Sequence, residues 1–422
     1  MQGQGEGAPA LQRLGPADVI RLPRDEACRR AWREARDAGE TLLRQGKLAA
    51  VLLAGGQGTR LGFDGPKGAF PFAPVTRRTL FHHHAAKVAA IRARYGCELP
   101  LYVMTSPQND AETRALFEAE ERYGLPEGTL AFFVQGTMPA VDLETGAVLL
   151  EARDRLALSP DGHGGLLAAL RRAGVLDELR ERGIETILTF QVDNPLLRLA
   201  RPELIGHHAL RRAEMSSVVV SKRTPEERMG VVATVDGRTA VVEYSDLPDE
   251  LANRRAPDGS LELWAGSIAV HCLQRTFVER LTEGGVALPF HRAEKRVAHV
   301  TLDGARIEPE RPNAVKFETF LFDALPLAER TATVESERSE EFSPIKNASG
   351  ADSPETARRD LNRLYGRWLS EAGVAVPCDV EGDPIVDIEI DPRLALDAEE
   401  LAERLPPGLD IAGPTVLGPG GR

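Results

Sequence analysis

Between residues 48 and 220, unbroken apolar runs alternate with stretches in which apolar side chains recur every three or four positions. The runs at Leu48–Leu53, Leu101–Thr105, Leu130–Val134, Ile187–Val192 and Ser216–Val220 read as buried strands. The helical rhythm at about 78–94, 109–122, 165–182 and 203–212 reads as helices that cover them. Each helix carries the chain back to begin the next strand in the same direction, so the pattern predicts an α/β fold with a doubly wound, mostly parallel sheet. Ligands of such sheets bind beyond the carboxyl ends of the strands, where Gly55, Asp193 and Ser221 fall.

After residue 228 the rhythm shortens. Val231–Val235, Ala240–Tyr244 and Leu263–His271 read as strands of a mixed sheet region walling one side of a cleft, and Asn313–Ala328 and Pro354–Glu371 as helices. Val374–Pro377, Pro384–Ile390 and a short helix near 396–404 suggest a small C-terminal module, and the Gly- and Pro-rich tail from Pro406 should be loosely ordered. Residues 1–45 alternate charge with Leu, Ala and Trp, as a surface helix or two outside the core would. The expected division is an N-terminal helical segment (1–46), a main domain (47–373) and a C-terminal module with β structure (374–422).

Composition narrows the partners. A chain of 422 residues with 42% hydrophobic and 27% charged residues can bury a large interior, and no run approaches the roughly eighteen apolar residues of a membrane span. The first residues lack the basic and apolar regions of a signal peptide, so a cytoplasmic protein is expected. Cys28, Cys97, Cys272 and Cys378 lie far apart and suggest neither a disulfide frame nor a thiolate metal site. A net charge of −12 argues against a nucleic-acid surface, which needs an extended positive field. Any anionic ligand must therefore meet a local basic cluster.

One such cluster stands out. The apolar run ending at Leu53 opens into Ala54-Gly55-Gly56-Gln57-Gly58-Thr59-Arg60-Leu61-Gly62, followed by Gly65-Pro66-Lys67-Gly68. Glycines let backbone N–H groups approach phosphate oxygens, and Arg60 and Lys67 supply charge. A Walker A loop needs Ser or Thr directly after its lysine; Gly68 and Ala69 exclude it. A dinucleotide fingerprint fits poorly with Arg60 and the basic insert.

This loop resembles that of the nucleotidyltransferases that make UDP-sugars, and most closely the UDP-N-acetylhexosamine pyrophosphorylases. Further segments, in order, carry the same likeness: Tyr102–Ser106, Phe132–Ala140, Ser159–Gly165, Gln191–Pro195, Val242–Ser245, Trp264–Ala269, Pro312–Asp323, Arg338–Asn347 and Asp352–Arg358. The resemblance spans about residues 48–372 and implies a Rossmann-like nucleotidyltransferase fold. It also implies that Gly55, Gly56, Gly58 and Thr59 cradle the nucleotide, that Gln135 pairs with uracil, and that Pro139 belongs to the same uridine-side segment. Gly162 and His163 would lie beside uracil and sugar, although relatives often carry Asn at the position of His163. Asp193 would hold Mg²⁺, a hard cation that prefers carboxylate oxygen. Glu243 would accept from sugar hydroxyls, and Ser267 replaces the family's sugar-recognising Asn with a shorter group. Lys346 would point its ammonium at the phosphates, and aromatic residues near Phe317 would wall the sugar pocket. His291 falls in a cleft-lining segment, with a structural role equally open. His82, His83 and His84 are adjacent on a helix, point in different directions and do not form a metal site.

The implied enzyme is a uridylyltransferase. It would take UTP and a hexosamine 1-phosphate and release UDP-N-acetylglucosamine, or a related UDP-N-acetylhexosamine, and pyrophosphate, with Arg60, Lys67 and Lys346 as catalytic cations. Two alternatives stay open: a broader glucose or galactose UDP-sugar pyrophosphorylase, and a non-catalytic nucleotide-binding regulator. The sequence leaves oligomeric state and preferred sugar open.

Overall fold

The structure, a computed structural model, describes residues 13–285 and 288–419. Its centre is a mixed sheet in the order Val19–Ile20, Thr331–Glu335, Met215–Ser221, Ala265–Gln274, Thr186–Gln191, Leu48–Leu53, Leu101–Thr105 and Leu130–Val134. Along this path every pairing is parallel except the two made by Ala265–Gln274. Leu14–Pro16, Val231–Val235 and Arg238–Val242 bring the total to eleven strands.

Leu48–Leu53 is buried at all six positions, and its period-two alternation divides the core. Leu48, Ala50 and Leu52 join the apolar cluster beneath helix Leu80–Tyr95, whereas Ala49, Val51 and Leu53 face the helices Leu166–Arg172 and Val175–Glu181 on the other side. Local signals set the helix starts. Asp25 caps helix Glu26–Arg44 by accepting from the Cys28 N–H, and Ser353 and Thr356 form a capping box at the start of Pro354–Glu371.

Four expectations are corrected. The region 165–182 is two helices, parted at Gly174, which takes φ 72°. The region 313–328 is not a helix: Ala314–Glu318 is a strand paired with His291–Lys295, and a 3₁₀ segment follows at Leu321–Leu327. Alternating Val315 and Phe317 suit a pleated strand, and Pro326 has no N–H with which to continue an α-helix. The N-terminal segment is no mere outer helix, because Leu14–Pro16 pairs with Val231–Val235 and Val19–Ile20 with Thr331–Glu335. The tail is ordered where it matters: Thr415–Leu417 lies parallel to Ile388–Ile390, with Ile411 and Leu417 buried. No helix among the described residues is long and apolar enough to cross a membrane.

Helix Glu26–Arg44 crosses Pro202–Leu210 backbone to backbone. A Cβ on Gly39 would stand 1.9 Å from the Pro202 carbonyl oxygen, and one on Gly206 would stand 1.7 Å from that of Ala35. Backbone cannot swing aside as a side chain does, so Gly206→Ala should cost about 3 kcal/mol by prying the helices apart. Urea unfolding checks this, and a midpoint equal to that of the parent would refute the crossing.

Candidate active site

Three parallel strands end together. Leu53 pairs with both Gln191 and Met104, so Ala54 and Val192 leave the sheet together, beside Thr105, the last residue of its strand. The Ala54 N–H donates to the Met104 carbonyl (2.9 Å) and the Val192 N–H to that of Leu53 (3.2 Å). The Gln135 N–H donates to the Thr105 carbonyl at 2.9 Å, which brings its side chain over the glycine loop. There Gln135 Oε1 lies 2.6 Å from where a Cβ on residue 55 would be, so any larger residue there would displace the Gln135 amide.

The loop is a closed, self-bonded shape. Its two arms meet where Gly58 N–H donates to the Gly65 carbonyl (2.9 Å) and Lys67 N–H to that of Gly56 (3.0 Å). Between them Thr59–Leu61 forms a 3₁₀ turn that leaves Thr59 and Arg60 exposed. Arg60 has no ion-pair partner among the described residues and is free to meet an anion. Lys67 turns inward, where its Nζ lies 3.2 Å from Asp193 Oδ2, both side chains less than one-fifth exposed (17% and 16%).

Asn109, which the motif reading passed over, braces this loop. Fully buried, it donates to the carbonyls of Ala54 (2.9 Å) and Gly56 (3.3 Å) while its Oδ1 accepts from the Ser106 N–H (2.8 Å). In sequence it reads as a helix cap before Asp110–Ala119, yet its side chain makes no capping bond.

Across the cleft, the Ile345 N–H donates to the Asp193 carbonyl at 2.8 Å, which seats Lys346 beside the same turn. The Lys346 ammonium is held loosely, 3.8 Å from the Asp352 carboxylate and 5.5 Å from the Phe342 ring centre, and it is 41% exposed.

The far end of the cleft is built on Phe320. Gly162, at φ 84°, lets the His163 turn press against Thr319, and the Leu321 N–H donates to His163 Nδ1 at 3.0 Å. Nδ1 is therefore the acceptor, and the neutral ring carries its proton on Nε2; burial pushes the pKa down to about 4. His163 and His291 both stack on Phe320, with centres 5.2 and 4.2 Å away. His291 Nε2 sits 2.8 Å from Asp323 Oδ2, and this hydrogen bond raises its pKa.

Glu243 and Ser267 meet at Gly230. The Ser267 N–H donates to the Gly230 carbonyl (2.8 Å), and Glu243 Oε1 lies 2.8 Å from the site of a Cβ on Gly230. The Glu243 carboxyl accepts no hydrogen bond from the described residues; burial, then nearby Asp246, raises its pKa. The Ser267 hydroxyl accepts from the Ala269 N–H at 3.3 Å, so it is turned toward its own strand. Pro139 lies on Thr137–Pro139, paired with Leu158–Pro160.

The family described as UTP–glucose-1-phosphate uridylyltransferase matches residues 17–352. The chain belongs to that family. Among its relatives, the UDP-N-acetylhexosamine pyrophosphorylase-like protein 1 of Homo sapiens is 38% identical over 97% of this chain and 84% of its own. The UDP-N-acetylglucosamine pyrophosphorylase of Saccharomyces cerevisiae is 34% identical over 85% of this chain and 76% of its own. A solved UDP-N-acetylglucosamine pyrophosphorylase of Trypanosoma brucei superposes with a TM-score of 0.81 at 28% identity, covering 92% of this chain and 82% of that one. As a member of the uridylyltransferase family, the chain is a UDP-sugar pyrophosphorylase with a mixed, mostly parallel sheet.

Proposed function

We propose that the chain transfers the uridylyl group of UTP to an N-acetylhexosamine 1-phosphate and releases pyrophosphate. The observation that carries this reading is the contact of Lys67 with Asp193 at the mouth of the glycine loop, with Gln135 lying against Gly55. An amide can pair with both a ring N–H and a carbonyl, so Gln135 suits uracil, with Gly162 and His163 beside it. Loop N–H groups from Gly55 to Thr59 then lie along the triphosphate.

A sugar-phosphate oxygen attacks the α-phosphorus in line; one P–O bond forms while the bond to pyrophosphate breaks. The nucleophile is already an anion, so no general base is required. What the protein supplies is position and positive charge, from Arg60, Lys67 and Lys346. Lys67 is the ion-pair partner of Asp193, which keeps its ammonium at the mouth of the loop where the phosphates would lie.

Asp193 suits Mg²⁺. Its Oδ1 accepts no hydrogen bond from the described residues, and among them no group of three or more His, Cys, Asp or Glu could hold a metal. A lone carboxylate fits a cation that takes its remaining ligands from water and phosphate, as Mg²⁺ does. Bound there, Mg²⁺ would neutralise phosphate charge in the reaction.

At the sugar end, the partnerless Glu243 carboxyl is the acceptor for sugar hydroxyls. The inward turn of Ser267 favours a second reading, a relaxed choice of sugar, because it leaves less to grip an acetamido group. Pyrophosphate release from UTP with the 1-phosphates of N-acetylglucosamine, N-acetylgalactosamine, glucose and galactose separates the two. The expected result is a kcat/KM at least about tenfold higher for the N-acetyl sugars. Equal values favour the broader enzyme, and no release with any of the four sinks both readings.

A further inference from the structure

The turn that carries Asp193 is gripped from behind by helix Leu80–Tyr95. His84 Nε2–H donates to the Val192 carbonyl at 3.0 Å, and His83 Nε2–H to that of Pro195 at 3.0 Å. Lys87 donates to two carbonyls, those of Pro195 and Leu197, each at 2.6 Å. The front is gripped as well: Ile345 N–H holds the Asp193 carbonyl, and Asn194 both donates to the Glu341 carbonyl (2.7 Å) and accepts from the Ser343 N–H (3.2 Å).

Lys87 is the odd member of this set. It is 8% exposed, and no carboxylate of the described residues makes a salt bridge with it. Burial pushes the Lys87 pKa down to about 7, so an amine is costly to keep here, and an apolar side chain of the same length would fill the space without that cost. What the apolar chain lacks is the double hydrogen-bond grip on two carbonyls.

That grip has something to resist. A cavity of about 290 Å³ opens directly behind the turn, walled by Lys87, His83, residues 195–203 and Trp368. Close packing fixes most protein backbone, but here there is room for residues 195–200 to sink away from the cleft. We propose that Lys87 is a positioning residue for uridylyl transfer: it ties Pro195 and Leu197 against the helix, so that the Asp193 carboxylate stays presented at the cleft instead of retreating into the cavity. The inference builds on the role given above to Asp193.

The test uses the whole chain with Lys87→Met, which keeps length and loses the donors, and Lys87→Arg, which restores them. Lys87→Met should keep its melting temperature and circular dichroism. Its kcat should fall by about thirtyfold with KM for the sugar phosphate changed less than about threefold. Mn²⁺ binding to the protein–UTP complex, read by electron paramagnetic resonance without turnover, should weaken by about tenfold. Lys87→Arg should recover most of both. Should Lys87→Met fail to fold, Lys87→Gln, which keeps a single donor, is measured against Lys87→Arg with the same expected order. A kcat within twofold of the parent, or a loss that tracks melting temperature and is not recovered by arginine, overturns the proposal. A parent that binds no Mn²⁺ with UTP removes the metal role of Asp193, while the kcat comparison still decides Lys87.

Discussion

In the Asp193→Asn variant, turnover should fall by about three orders of magnitude while the fold survives. Electrostatic groups aimed at a reacting phosphate are each worth about 10²–10³ in rate, and this change removes a charge while leaving shape intact. The turn does not depend on the carboxylate for its structure: its backbone is held by His83, His84, Lys87 and Ile345. Among the described residues the one polar contact of the side chain is with Lys67, a part-buried pair whose hydrogen bond should be worth about 1–2 kcal/mol, so that its loss moves Tm by only a few degrees. Pyrophosphate release and a melting curve on the same preparation measure both. Turnover within tenfold of the parent would remove Asp193 from the chemistry.

Acidification from pH 7 to about pH 4.5 should unfold the protein cooperatively. Of nine histidines, His82, His83, His84, His163, His207, His208 and His271 all have pKa values pushed below the ordinary 6.5, chiefly by burial. Between each depressed value and 6.5 the unfolded chain binds more protons than the folded one, so stability rises with pH there and is lost as pH falls. His84 and His271, buried and pushed down to about 3, together stand to lose several kcal/mol across this window, a large part of the 5–15 kcal/mol typical of a folded domain. His291 has the opposite sign: its pKa is raised by Asp323, so its contribution is present in acid and is lost above 6.5. Glu341, raised by its burial, also opposes the trend. Urea midpoints at pH 7, 6 and 5 should fall steadily, and a midpoint at pH 5 equal to that at pH 7 would contradict the account.

The sheet was legible because its central strands, Leu48–Leu53 and Leu101–Thr105 among them, are buried on both faces. Leu48–Leu53, Leu101–Thr105 and Leu130–Val134 have the bounds their apolar runs imply. Hidden elements were short or disguised by composition. Val19–Ile20 is too brief for any periodicity to register, and Thr415–Leu417 sits among Gly and Pro. In the site, residues that present chemistry on a loop announced themselves, as Lys67 and Asp193 did. Residues that act by gripping backbone did not: Asn109 resembles a helix cap, and His83, His84 and Lys87 are ordinary members of a helix until the carbonyls they hold can be seen.

The late strand Ile388–Ile390 bears on how the enzyme is made. Glu389 accepts from the Val75 and Thr76 N–H groups and the Thr76 hydroxyl, and Asp391 pairs with Arg78, contacts separated by 313 or 314 positions in the chain. They fix the segment that joins the glycine loop to the helix behind Asp193. During synthesis the nucleotide half emerges first, yet its connecting segment lacks these anchors until residues near 390 have been translated. A nascent chain stalled before that point would hold a glycine loop without its final brace, so competence for UTP should appear only after residues near 390 have been translated.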